Sequence, residues 1–262
     1  MELLKAIILG LVQGFTEFIP ISSSGHLILV GNFLHFSYSG LAFDTALNIG
    51  TLTALLAFFW KDFWNLAHDF LYGGEDRNLA GYILIATLPA VIFGVLVQDL
   101  AETVFRNNVL VAFNLIWVAI LMLIIDRGPQ LITKVQDIKL PQAVIVGFAQ
   151  ALALIPGTSR SGITITAGRA LKMNRVTATR FSFLLSAPVI TGATLKLILK
   201  DSTLSQMGHM PSLYIGGILG AFVAGYFSIK FLIKYLSKNG LAIFAYYRVV
   251  VGILILLSAK VM

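Results

Sequence analysis

The chain has 262 residues, of which 58% are hydrophobic and only 12% charged, with a mean hydropathy of +0.88. A soluble domain carries about 25% charged residues, so this composition describes an integral membrane protein instead. The net charge of +7 admits nucleic acid as a partner, but loop lysines and arginines placed by membrane topology against anionic lipid account for it better, and the lack of cysteine removes disulfides and thiolate chemistry.

Backbone groups in lipid must be satisfied internally, and long apolar runs without strand alternation select helices. Ten apolar segments follow in chain order, five per half: 3–19, 25–35, 41–60, 79–98 and 108–125, then 140–155, 162–171, 177–199, 212–233 and 241–259. The polar stretch 126–141 joins the halves. No basic region precedes the first apolar run and no small-residue cleavage site follows it, so no cleavable signal is expected.

A polar loop occurs twice inside this apolar sequence, as QGFTEFIPISSSGH (Gln13 to His26) and QALALIPGTSRSG (Gln150 to Gly162). A shift of 137 superposes Gly10 on Gly147, Gln13 on Gln150, Ser22 on Ser159, Ser24 on Ser161 and Gly25 on Gly162. Further on, Phe43, Leu47 and Thr53 match Phe181, Leu185 and Thr191 at a shift of 138. Segments 25–35 and 162–171 are too short to cross a hydrocarbon core, which takes about 20 helical residues. Each is expected to pair with the segment before it as a re-entrant hairpin, leaving three crossings per half. An odd number inverts the second half. The expected fold is an all-α integral membrane protein of two inverted five-segment repeats, each a re-entrant hairpin plus three transmembrane helices. The repeats span 1–125 and 142–262 of one membrane domain, with 126–141 as a cytoplasmic connector.

Loop charge orients this plan. One side carries Lys61, Arg77, Arg127, Lys134, Lys139, Lys172, Arg175, Lys234 and Lys238; the other carries Lys5, Arg106, Lys200 and Lys260. The richer side is expected to be cytoplasmic, which places both termini and the first hairpin's mouth outward.

Glu17, His26 and Arg160 sit where charge is expensive, which makes them functional candidates. Gln13 and Glu17 are four apart on one helix face, and a carboxylate with an amide oxygen suits a hard cation, Mg²⁺ or Ca²⁺. The structural alternative is that Glu17 pairs with an arginine or is capped by backbone. Ser22, Ser23 and Ser24 open a short helix, either as caps or, with free N–H groups, as an anion site. Among carboxylate, serines and arginine, His26 suits an acid/base or nucleophile. In PGTSRSG, Gly157 permits a tight turn, Ser159 and Ser161 supply donors, and Arg160 offers a planar fork for phosphate or an ion pair to Glu17. Asp44, Asn48, Arg169, Arg180 and Arg248 are weaker candidates; Asp44 and Asn48 lie one turn apart at the start of a span, with a cap and an interhelical hydrogen bond as their structural alternatives.

These two loops resemble the signature regions of the undecaprenyl-diphosphatase, or bacitracin-resistance, family. Gln13, Glu17, Pro20, Ser22, Ser23, Gly25 and His26 fill its E/Q-x-x-x-E and P-x-S-S-x-G-H pattern; Pro156, Gly157, Ser159, Arg160, Ser161 and Gly162 fill P-G-x-S-R-S-G. The loop spacing and FDTALNIG at 43–50 also agree. The resemblance implies a bacterial plasma-membrane enzyme with an outward site that takes one phosphate from undecaprenyl diphosphate, regenerating the lipid carrier for peptidoglycan. It also implies bacitracin resistance and a divalent metal. Carried over, Gln13 and Glu17 handle metal or diphosphate, Arg160 binds diphosphate, and His26 with Ser23 or Ser22 performs the chemical step. Many members have a carboxylate where this chain has Gln13, and an amide binds a cation less tightly. Either His26 activates Ser23 for covalent attack, or His26 or Glu17 orients water; the sequence leaves both open. The expected partners are a polyprenyl diphosphate and membrane lipids, with room for a homodimer and no nucleic acid. The rival class is a polyprenyl-phosphate flippase or transporter with the same inverted-repeat fold.

Overall fold

The computed structural model describes residues 1–36, 41–96, 108–199 and 207–259. Arg106, Lys200 and Lys260 of the charge reading, and the end of segment 79–98, lie outside them. The described residues are helical, with no strand among them. In chain order the helices are α1 (Glu2–Phe18), α2 (Ser23–Phe33), α3 (Leu41–Phe58), α4 (Trp60–Tyr72), α5 (Arg77–Leu96), α6 (Asn108–Ile125), α7 (Leu140–Leu152), α8 (Arg160–Ala170), α9 (Arg175–Ile198), α10 (Pro211–Leu236) and α11 (Ala242–Ala259). Among the described residues α5 and α10 are each long and apolar enough to cross a membrane, and α3 with α4 passes the same test only as a pair bent by 76°. The chain is a multi-pass membrane protein.

The reading of 41–60 as one segment followed by a loop is corrected by α4. This helix turns 76° from α3 and continues to Tyr72. Its WKDFWNLAHDFLY sequence interleaves Lys61, Asp62 and Asp69 with aromatics, and Trp60, Trp64, Leu71 and Tyr72 are exposed. An amphipathic helix rich in tryptophan and turned off the spanning direction suits the membrane interface.

Lipid tails are as apolar as leucine, so helices in a bilayer associate through close packing of small residues. The seam of α1 on α10 is built this way. A Cβ on Gly10 would stand 2.1 Å from the Gly217 carbonyl oxygen, and one on Gly14 would stand 2.5 Å from that of Ala221. The corresponding helix of the second half, α7, crosses α5 at Gly147, where a Cβ would meet the Ala86 carbonyl oxygen at 2.2 Å. On either side of these seams, Phe18, Phe59, Phe181 and Phe183 form one buried cluster, and Phe43, Leu47 and Tyr214 form another.

The two hairpins agree down to single torsions. Ser22 and Ser159, each just before its short helix, have φ of 77° and 68°, and His35 and Lys172, just beyond, have φ of 46° and 67°. Both short helices end in the same turn: Phe36 N–H donates to Gly31 O as Met173 N–H donates to Gly168 O, both at 3.1 Å. Beneath the second hairpin, Asp126 ties the connector to the bundle. It accepts from Arg169 Nε (3.2 Å), Arg175 Nε (2.8 Å) and the Leu241 N–H (3.0 Å), while the rest of the Arg169 guanidinium donates to the carbonyls of Asp126, Gly128, Pro129 and Met173.

Gly10→Ala is expected to destabilise the detergent-purified protein by about 2 kcal/mol or more, because the methyl meets fixed backbone. Gly81→Ala, where nothing lies within 4 Å, should gain about 0.5–1 kcal/mol from helix propensity. Thermal unfolding of the two variants side by side checks this; equal melting temperatures would remove the packing argument.

Candidate active site

Both broken helices leave backbone carbonyls without helical partners, and inside a bilayer these must find donors from the protein. Side chains supply them. Ser161 Oγ donates to Ile19 O (3.3 Å), Asn114 Nδ2 to Pro156 O (3.0 Å), and the Ser22 carbonyl accepts from His26 Nδ1 (2.7 Å). Arg248, fully buried on α11, donates to Pro20 O, Gly157 O and Thr158 O of the two loops and to Asn114 O and Leu115 O of α6, all at 3.0–3.3 Å. Gly157 is required twice over. Its φ is +88°, and a Cβ there would lie 2.4 Å from the Val111 carbonyl oxygen.

Held in this way, the loops bring their charged residues together. Glu17, on the last turn of α1, pairs through Oε1 with Arg160 at the start of α8; their side chains are 11% and 17% exposed. The other oxygen, Oε2, accepts from Ser23 Oγ at 2.6 Å and from Gln13 Nε2 at 3.0 Å. Gln13 Nε2 also donates to Asn48 Oδ1 on α3 (2.9 Å), and its amide oxygen is buried without a partner. These residues line a cavity of about 280 Å³ together with Ser24, Asp44, Gln150 and Ser159. Arg180, a weaker candidate, sits elsewhere, bonded to Asp62 at 2.5 Å.

Several residues marked by the sequence stand behind this cavity and do not line it. Ser22, Ser161 and Gly157 support the loops. His26 is half-buried. Its Nδ1 faces a carbonyl, which only accepts, so in the neutral ring Nε2 accepts from the Tyr247 hydroxyl at 2.7 Å. His26 and Ser23 are therefore not brought together; the group that touches the Ser23 hydroxyl is Glu17. Asn48, Asp44 and Gln150, by contrast, reach the cavity. Gln150 was marked only as the repeat partner of Gln13, and Asn48 only by FDTALNIG and its spacing from Asp44.

Replacing Arg248 by Met removes donors from five buried carbonyls and should cost about 3 kcal/mol or more. Arg248→Lys should recover only part, since one ammonium cannot span both loops. Unfolding midpoints of both variants test this; a Met variant as stable as the parent would show that the loops stand without the clasp.

The model of the family described as "Bacitracin resistance protein BacA" matches residues 6–254. A protein of Pelotomaculum thermopropionicum is 41% identical over 261 residues, covering 99% of this chain and 97% of that protein. One of Moorella thermoacetica is 45% identical over 257 residues, 97% of each chain, and one of Geotalea daltonii is 46% identical over 268 residues, 98% of each. All three are named undecaprenyl-diphosphatase.

Proposed function

The chain belongs to the bacitracin resistance protein BacA family, and from that premise we propose that it is a membrane phosphatase. It hydrolyses undecaprenyl diphosphate to undecaprenyl phosphate and inorganic phosphate, so returning the lipid carrier to peptidoglycan synthesis and conferring bacitracin resistance. One observation carries the chemical reading: the Ser23 hydroxyl donates to a part-buried carboxylate, Glu17, that also holds Arg160. A carrier that only binds and moves a phosphate needs no hydroxyl poised on a base.

Ser23 Oγ attacks the terminal phosphorus while Glu17 takes its proton. The bond from that phosphorus to the bridging oxygen breaks, and undecaprenyl phosphate leaves. Water then cleaves the phosphoserine, releasing inorganic phosphate. Arg160 lies where the three terminal oxygens gather charge and neutralises it, with Ser159 and the N–H groups at the start of α8 beside it. His26 holds the Ser22 carbonyl and so fixes the turn that presents Ser23; in this reading it positions the nucleophile, and the base is Glu17.

A divalent cation, Mg²⁺ or Ca²⁺, belongs to the same proposal. Such ions bind through one or two carboxylates together with substrate phosphates. The partnerless Gln13 oxygen beside Glu17 fits a minimal all-oxygen set of that kind, though no cluster of three acidic or histidine side chains stands among the described residues. Bound there, the ion would supply positive charge to the diphosphate.

The inverted five-segment repeat is also proposed, with the two halves entering the bacterial plasma membrane from opposite faces and both termini outward. The matched torsions at Ser22 and Ser159 support it. So do the matched seams, α1 on α10 and α7 on α5, and the lysine and arginine distribution.

Detergent-purified protein should release phosphate from a prenyl diphosphate, and a chelator should suppress the release. Ser23→Ala should abolish turnover, and acid quenching of the parent should trap one phosphoserine. Glu17→Gln should lower the rate by about 10²–10⁴, the usual loss of general-base help. His26→Ala should lose less and keep its pH–rate profile. Substantial turnover by Ser23→Ala would mean direct attack by water; a His26→Ala profile missing a limb would return the base to His26.

A further inference from the structure

The site cavity has two unlike kinds of lining. Glu17, Ser23 and Arg160 supply the charged and polar part, and aliphatic side chains, Leu154 and Ile155 among them, supply the rest. The same Leu154 and Ile155 also wall a second cavity of about 420 Å³ between α5 and α7, completed by Phe93, Phe148, Ala149 and Leu152. That wall is almost wholly apolar, and Phe93, Phe148 and Leu152 are exposed on the outer helix surface. Leu154 and Ile155 are thus the shared wall between the cavity that holds the charged cluster and an apolar one open to the hydrocarbon.

The first half closes the equivalent route. By the shift of 137, Ala151 corresponds to Gly14 and Ile155 to Phe18. Gly14 is pressed onto the backbone of Ala221 and Gly225, and Phe18 is buried edge-on against Phe183, with ring centroids 5.3 Å apart. In the second half, Gly147 touches Ala86, but by Gly94 a Cβ would be 3.8 Å from the nearest atom, a Leu154 methyl. The α5–α7 seam has opened there. Gln150, 2% exposed, lines the polar cavity while its chain neighbours Ala149 and Ala151 line the apolar one, and neither of its amide atoms is partnered. Leaving both groups bare is costly unless a ligand meets them.

We infer that the α5–α7 groove receives the first isoprene units of the lipid and that Gln150 meets the phosphate attached to them. This rests on the phosphatase reading and adds a direction to it. The chain enters through the second half, its own phosphate stops at Gln150, and the terminal phosphate alone reaches Ser23 and Arg160. Attack at the terminal phosphorus is then fixed by where the tail lies.

Kinetics on 5-carbon and 15-carbon prenyl diphosphates with the full-length purified protein test this. The parent should show a lower KM for the longer substrate. Ala149→Phe, which fills the groove, should raise KM for the 15-carbon substrate about tenfold or more with little change for the 5-carbon one. Leu152→Trp, at an exposed wall position, provides the same comparison should Ala149→Phe fold poorly. Gln150→Leu should raise KM for both substrates alike and keep their ratio. If both groove variants leave the ratio unchanged, the groove is not the tail site and the phosphatase reading stands. If the parent releases phosphate from neither substrate, the phosphatase reading fails and this inference fails with it.

Discussion

Two helices broken in the middle of a membrane protein expose backbone that lipid cannot solvate, and the site exists only because that backbone is paid for by side chains. Arg248 is the chief of these. From α11 it gathers carbonyls of both loops and of α6 onto one guanidinium. Its carbonyl partners make it a structural cation, in contrast to Arg160, whose partner is a carboxylate that substrate can displace or share. Asp126 and Arg169 do comparable work at the connector end. Two buried arginines thus hold loops in place without lining the cavity, whose own Glu17 and Arg160 face each other across it.

The broad fold was legible because its signals are local. Proline, serine and glycine interrupt apolar runs, and the interruption recurs at a constant offset. The short helices at Ser23–Phe33 and Arg160–Ala170 fall within two residues of the segments expected. The sequence concealed α4, because a tryptophan-rich amphipathic helix lacks the long apolar run that marks a span. Within the site, the structure pairs Glu17 with Arg160, as one of the two readings of these loops expects, and the phosphate reading of Arg160 stands beside it. Proximity along the chain misled in one place. His26 and Ser23 are three residues apart on one helix, yet the imidazole turns to Ser22 O and Tyr247. Arg248 ranked low for a related reason. Its partners lie 90–228 positions away, and only the assembled bundle shows that they share a donor.

Ser23 and Arg160 occupy the same place in the two halves: each is the first residue of its short helix, 137 positions apart. Both reach the one carboxylate, Glu17. Duplication gave two like backbones, and divergence gave them unlike chemistry, a hydroxyl on one and a guanidinium on the other. Glu17 itself corresponds to Leu154, so an acidic and an aliphatic residue of the cavity lining are also one position read twice. A substrate with a charged head and an apolar tail fits a site whose halves differ in that sense.

The bend at Phe59 also measures depth. With α4 in the interface and α3 running inward from it, Asn48 lies twelve residues beyond Trp60, or about 18 Å along a helix that rises 1.5 Å per residue. Counting along α1 from its first residue, Glu2, Glu17 lies about 22 Å in by the same rise. Against a hydrocarbon core about 30 Å thick, both distances put these residues inside the apolar layer and away from its surfaces. On the phosphatase reading, the lipid's headgroup leaves the surface to meet them, and the water that cleaves the phosphoserine has to follow it into the apolar layer.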